Sequence, residues 1–277
     1  MCKGFHAAGV FKIIYHNGGV TLFKHHQDSV NNITEKLKKE EHIHALIIAG
    51  SIAHGFERED SDVDIMIVVS DEEYQQRMKD GTHIYWEKES CTYKKGYIDG
   101  KYISTKAIKQ IAEHGGEPSK FAFRDNIIAF SRIEGLEALI KKAAEYPTPY
   151  KAARMKRFYA LLQEWQWYYH QGVESENTYL INMAVSNIVL YGGRALLAYN
   201  EMLFPFHKWF LRVLAEAEHK PEGTLDLIDK ILNTRSPEAV KQFVSAIDNF
   251  TNWGIEASEW ASCVVTEEEL GCSEAYI

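Results

Sequence analysis

Apolar positions along the chain change their period near residue 147: before it, short apolar runs alternate with helical patterns, and after it helical spacing dominates. Val30, Ile33 and Leu37 recur at helical spacing, with Asp28 or Ser29 placed to cap the helix and Lys36, Lys38 and Lys39 suited to its C-terminal end. Residues 44–49 form a short apolar run that predicts a buried strand ending at Gly50-Ser51, and residues 63–69 predict a second. Ser70, with Glu73 three positions on, reads as a capping box opening a helix. Further strands are expected over 82–86, 97–103 and 126–131, with a helix opened by Ser104 and stopped at Gly115-Gly116. Residues 1–27 carry two apolar patches about Asn17-Gly18-Gly19 and fit a short hairpin or an ordered arm.

Pro147-Thr148-Pro149 interrupts a helix that begins near Glu134 and marks the expected linker. Beyond it, helices are expected over 151–171, 177–200, 205–217, 224–232 and 237–253, the last opened by Ser236-Pro237. At 277 residues the chain exceeds a typical single domain. The expected fold class is α+β. A small mixed sheet flanked by helices occupies residues 1–146, and an all-helical bundle occupies residues 147–277.

The net charge of −8 argues against a broad nucleic-acid footprint, which needs a Lys/Arg surplus. Residues 145–277 hold 11 Lys/Arg against 18 Asp/Glu, an acidic surplus that a solvated surface explains and a cationic acceptor would suit. Cys2, Cys91, Cys263 and Cys272 form no C-x-x-C pair and read as reduced thiols of a cytoplasmic protein. No uninterrupted apolar run approaches ~20 residues, so no membrane span is expected.

The informative stretch runs from Gly50-Ser51 through His54 and Arg58 to Ser61-Asp62-Val63-Asp64. Gly50 lets a phosphate approach the backbone, and Ser51 adds a hydroxyl and an N–H at an expected helix start. Asp62 and Asp64, two residues apart, face one side of a strand. Adjacent carboxylates repel unless a cation joins them, and Mg²⁺ takes one or two carboxylates together with substrate phosphates. The pattern predicts a Mg²⁺–triphosphate site beside a phosphate-gripping turn.

Gly-Ser, a spacer, then Asp-x-Asp opening an apolar strand resembles the signature of the polymerase-β-like nucleotidyltransferase superfamily. The resemblance implies a third carboxylate on a later strand, which completes the site for two Mg²⁺ ions and serves as base for the attacking hydroxyl. Asp99, in Gly96-Tyr97-Ile98-Asp99-Gly100, is the best match. Asp-Gly is also a strong hairpin signal, in which case Asp99 is a turn residue and Glu87 or Glu89 takes its place. An α/β domain followed by a helical bundle resembles the antibiotic adenylyltransferases, including those acting on aminoglycosides. In such enzymes a basic residue of the helical part reaches the triphosphate. Lys208, next to Trp209, is the candidate here, with Arg194 a second. A Lys snorkelling over an aromatic cluster is the plainer reading of Lys208. His54 and Arg58 read first as polar loop residues.

The expected activity is transfer of a nucleoside monophosphate, AMP favoured, from an NTP to a hydroxyl of a small molecule with release of pyrophosphate. An aminoglycoside-like acceptor is favoured. Two alternatives stand beside it: a protein or nucleic-acid acceptor, and a non-catalytic nucleotide-binding module. Loss of the third carboxylate would mark the last.

Overall fold

The computed structural model describes residues 22–266, which form two compact units: residues 22–112 with 122–143, and residues 113–121 with 144–266. The Asn17-Gly18-Gly19 hairpin reading, Cys2 and Cys272 lie outside the described residues.

The first unit holds a five-stranded mixed sheet. Its strands are β1 (Ala45–Ile48), β2 (Val63–Val69), β3 (Ile84–Glu87), β4 (Ile98–Ser104) and β5 (Ile127–Ser131). They lie in the order β3-β4-β2-β1-β5. β2 and β4 run parallel, while β1 is antiparallel to both β2 and β5, and β3 is antiparallel to β4. Helices α1 (Lys24–Leu37), α2 (Gly50–His54), α3 (Asp71–Asp80), α4 (Thr105–His114), α5 (Glu117–Phe121) and α6 (Leu136–Ala143) complete residues 22–143. Val63, Ile65, Ile67 and Val69 alternate along β2 and pack with Val30, Ile33 and Leu37 of α1 into one buried cluster. The expected mixed sheet flanked by helices, followed by a helical region, is what the chain forms.

One local expectation is corrected, and one alternative reading is set aside in favour of the expected strand over 97–103. Helix α1 begins at Lys24 rather than at Asp28, and Ser29 does not cap it: its Oγ donates to the His25 carbonyl at 2.7 Å inside the helix. The inward stripe extends back through Ser29 to His26, both fully buried. Those residues read as polar, so the first turn of the stripe was hidden. The Asp99-Gly100 hairpin does not form. β4 runs unbroken from Ile98 to Ser104 against the whole of β2, and this pairing overrides the local turn preference. The helix caps fared better. Ser70 Oγ accepts the Glu73 amide at 3.2 Å and Ser104 Oγ that of Ala107 at 3.2 Å. The Glu73 carboxylate instead accepts from Arg77 Nε at 2.8 Å.

The second unit is helical: α7 (Lys151–Glu174), α8 (Thr178–Tyr199), α9 (Phe210–Glu216), α10 (Thr224–Thr234), α11 (Pro237–Asp248) and α12 (Trp260–Val264). The Pro147–Pro149 segment leads into α7 through a single 3-10 turn, Thr148–Tyr150. Among the described residues α8 alone is long and apolar enough to cross a membrane by length and composition. It packs within the unit, burying Ala184, Val185, Ile188 and Ala195 to Ala198. Glu117 anchors an ionic cluster here with a side chain only 2% exposed. Arg194 Nη2 donates to its Oε2 at 2.6 Å, Arg154 Nη1 lies 3.8 Å from Oε1, and the Phe204 amide donates to Oε1 at 3.4 Å.

Candidate active site

Pairing register places the acids. Asp64 on β2 stands opposite Asp99 on β4, and Asp99 stands opposite Trp86 on β3. Asp62 precedes β2 by one residue, where the Val63 amide donates to the Tyr97 carbonyl at 3.1 Å. Alternation then puts Asp62, Asp64 and Asp99 on one sheet face. Each offers a carboxylate oxygen to one point, and the three oxygens lie within 4.8 Å of one another. The opposite face carries Val63, Ile65 and Ile98, which are buried.

The Gly50-Ser51 turn closes this cluster from the β1 side. The Ala49 amide donates to the Asp64 carbonyl at 3.0 Å, tying the end of β1 to the acid strand. Gly50 has φ +63°, and a Cβ there would overlap the Asp64 carboxylate. Only glycine meets both conditions. Ser51 follows in the first turn of α2; its Oγ is buried and has no hydrogen-bond partner among the described residues.

The loop into Asp62 is held from α1. His26 Nε2 donates to the Ser61 carbonyl at 3.0 Å, Tyr93 Oη donates to the same oxygen, and His25 Nε2 donates to the Glu59 carbonyl at 2.9 Å. The rings of His25, His26 and Tyr93 pack together, with His25 and Tyr93 centroids 4.5 Å apart. Tyr97 reaches the acids directly. Its hydrogen bond to Asp62, and that carboxylate's charge, hold the phenol above its usual range. No motif announces His25, His26, Tyr93 or Tyr97, because polar side chains give no signal in an apolar pattern.

The other sequence candidates have these surroundings. Glu87 points to the opposite face, where Lys36, Ser90 and Tyr85 Oη (2.8 Å) donate to it. Burial disfavours its charge, but these donors outweigh that and hold its pKa below the usual carboxylate range. Glu89 pairs with Lys36 at 3.1 Å. Neither joins the acid cluster. His54 is not an exposed loop residue. It ends α2 with a side chain 1% exposed, and its Nδ1 lies 3.3 Å from Asp125 Oδ2. Arg58 is exposed and pairs with Asp60 at 3.1 Å. Lys208 lies in the helical unit on a 3-10 turn, exposed, its ammonium 5.2 Å from the Trp209 ring centre. Arg194 is engaged by Glu117.

On the acid face, β3 and β4 add residues that the motif did not predict. Lys101 lies two positions beyond Asp99 and pairs in register with Met66 and Ile84. Trp86 and Ile84 are 56% and 60% exposed on the edge strand, and the Trp86 ring centroid is 6.2 Å from that of Tyr97.

Chemically, the cluster is an all-oxygen donor set of three converging carboxylates, the choice of a hard divalent cation. The close fit of Gly50 against Asp64 leaves the turn backbone immediately beside it. The three acids fit a hard divalent cation.

No curated protein matches the chain. Among solved structures it is similar to a nucleotidyltransferase-like protein from Exiguobacterium sibiricum, at 10% identity and a TM-score of 0.42 over 88% of this chain and 77% of that one. Residues 31–95, which include the Gly50-Ser51 turn, Asp62 and Asp64, match the family model described as polymerase beta, nucleotidyltransferase.

Proposed function

We propose that the protein is a Mg²⁺-dependent nucleotidyltransferase that moves a nucleoside monophosphate from an NTP to a hydroxyl of a small molecule. The observation that carries this reading is the convergence of Asp62, Asp64 and Asp99 within 4.8 Å beside the Gly50-Ser51 turn. The third carboxylate matters most, because a degenerate nucleotide-binding relative would lack it.

Asp62, Asp64 and Asp99 would hold the metal, which supplies charge neutralisation for the phosphates and for the departing pyrophosphate. Gly50 and Ser51 bind the phosphate chain through backbone N–H groups and the Ser51 hydroxyl. Asp99, outermost of the three from that turn, takes the proton of the acceptor hydroxyl. Tyr97 orients Asp62 through its hydrogen bond. The chain thus contributes positioning and electrostatics rather than a covalent intermediate.

In this reading the two substrates lie on opposite sides of Asp64. The phosphate turn lies on the β1 side of Asp64, and Asp99 with Trp86 lies on the other. An acceptor that presents a hydroxyl to Asp99 stands over Trp86 and Ile84, whose exposed apolar surface suits a ring-bearing molecule. ATP and an aminoglycoside-like acceptor are the favoured pair.

The test is a screen for pyrophosphate release from Mg·ATP with hydroxylated small molecules, run beside Asp64→Asn. Acceptor-dependent release in the wild type, absent from the variant, supports the reading. Release that persists in the variant contradicts the assignment of the acids.

A further inference from the structure

The acid face continues past β1 to β5. Ile47 pairs with Met66 and with Ile128, so Ile128 lies on the face of Met66 and Asp64. Asn126, two residues before Ile128, falls on that face too. Ile48 pairs with Ile127, and Asn126 is the next residue outward, beside the Ala49–Gly50 end of β1. Neighbouring strands stand roughly 4.8 Å apart, so Asn126 is about 10 Å from β2, with the Gly50-Ser51 turn between.

Its carboxamide is unusual. Both Oδ1 and Nδ2 are shut off from solvent, and neither has a hydrogen-bond partner among the described residues. An amide buried with both its donor and its acceptor unused is unfavourable, and native proteins keep such groups only for a reason. Ser51 Oγ, at the phosphate turn, is in the same condition. The adjacent carboxylate does not explain the arrangement. Asp125 Oδ2 is engaged by His54 Nδ1 at 3.3 Å and by Arg124 Nε at 3.1 Å. Burial opposes its charge, but those partners hold its pKa below the usual carboxylate range. The negative charge beside Asn126 is therefore balanced.

We infer that Asn126 is a substrate-contacting residue whose Nδ2 amide donates to a phosphate oxygen of the bound nucleotide, beyond the Gly50-Ser51 turn from Asp64. The inference rests on the nucleotidyl-transfer reading and adds a specific ligand to it. It assigns the β5 edge to the phosphate chain, as Trp86 at the opposite edge is assigned to the acceptor.

The experiment compares wild type, Asn126→Ala and Asn126→Asp by calorimetric titration with two probes in the presence of Mg²⁺: a non-hydrolysable ATP analogue and inorganic tripolyphosphate. Asn126→Ala weakens both probes by roughly tenfold or more, the loss expected for a hydrogen bond to a charged group. Asn126→Asp, nearly isosteric, weakens them further by setting a carboxylate against the phosphates. Melting temperatures without ligand do not fall in Asn126→Ala, because the amide has no hydrogen-bond partner among the described residues to lose. Unchanged affinity for both probes overturns the inference. Weakened analogue binding with unchanged tripolyphosphate binding also overturns it, by moving the contact to the nucleoside. A lowered melting temperature in Asn126→Ala assigns a structural role instead. Failure of wild type to bind either probe removes the nucleotidyl-transfer reading itself, a result distinct from the other three.

Discussion

Asp64 and Asp99 stand directly opposite each other on the parallel strands β2 and β4, although 35 residues separate them in the chain. With Asp62 they gather three carboxylates whose oxygens lie within 4.8 Å of one another, and Lys101 follows on the same face two positions beyond Asp99. Asn is nearly isosteric with Asp, so replacing Asp99 by Asn leaves the metal-free melting temperature close to that of the wild type. Turnover with any identified acceptor falls by a factor on the order of 10²–10⁴, the usual contribution of a positioned base. Differential scanning fluorimetry and steady-state kinetics on one preparation read both effects. A large drop in melting temperature would place Asp99 in the framework rather than the chemistry.

Gly50→Ala combines two defects. It forces an L-residue to φ +63° and drives a methyl into the Asp64 carboxylate. The left-handed conformation alone costs about 1–2 kcal/mol. The variant is expected to fold with lowered stability by urea denaturation and to lose metal-dependent nucleotide binding. Wild-type nucleotide affinity in a folded Gly50→Ala would show that the turn does not border the site.

The helical unit offers an independent check of its own packing. Glu117→Gln removes the negative charge that faces Arg154 and Arg194. Leaving buried charge without its counter-ion costs about 3–5 kcal/mol. Chemical denaturation should register a loss of that order, and a double variant Glu117→Gln/Arg194→Met should recover part of it. A loss below about 1 kcal/mol would mean that solvent screens the cluster.

Acid sensitivity is expected through His26. Burial, then the neighbouring charge of His25, holds its pKa below the ordinary histidine value. The unfolded chain takes up that proton more readily than the folded protein. Stability is thus complete above about pH 6.5 and declines as pH falls toward and through the folded value. Melting temperatures from pH 8 to pH 5 should show the decline, and His26→Asn should flatten it. Equal slopes for the two proteins would exclude His26 as the source.

The sheet and its acid strand were legible because their signals are local. Alternation marked Val63–Val69, and Asp62 and Asp64 share a face by period alone. Asp99 needed the resemblance, since its own Asp-Gly context pointed to a hairpin and only pairing along β2 keeps β4 straight. Trp86, Tyr97 and Asn126 were out of reach for another reason. They meet the acid face through register across β3, β4 and β5, which depends on strand order, and strand order is not written in any single segment. His26 failed to register because a buried histidine satisfied by the Ser61 carbonyl looks polar in a hydropathy pattern.

The most direct measurement is a calorimetric titration of the protein with a non-hydrolysable ATP analogue, with and without Mg²⁺, beside Asp62→Asn/Asp64→Asn. The wild type is expected to bind the analogue only with the metal, and the double variant, folded with an unchanged melting profile, to bind it in neither condition. Equal metal-dependent binding by wild type and variant would contradict the claim that these carboxylates form a metal–nucleotide site.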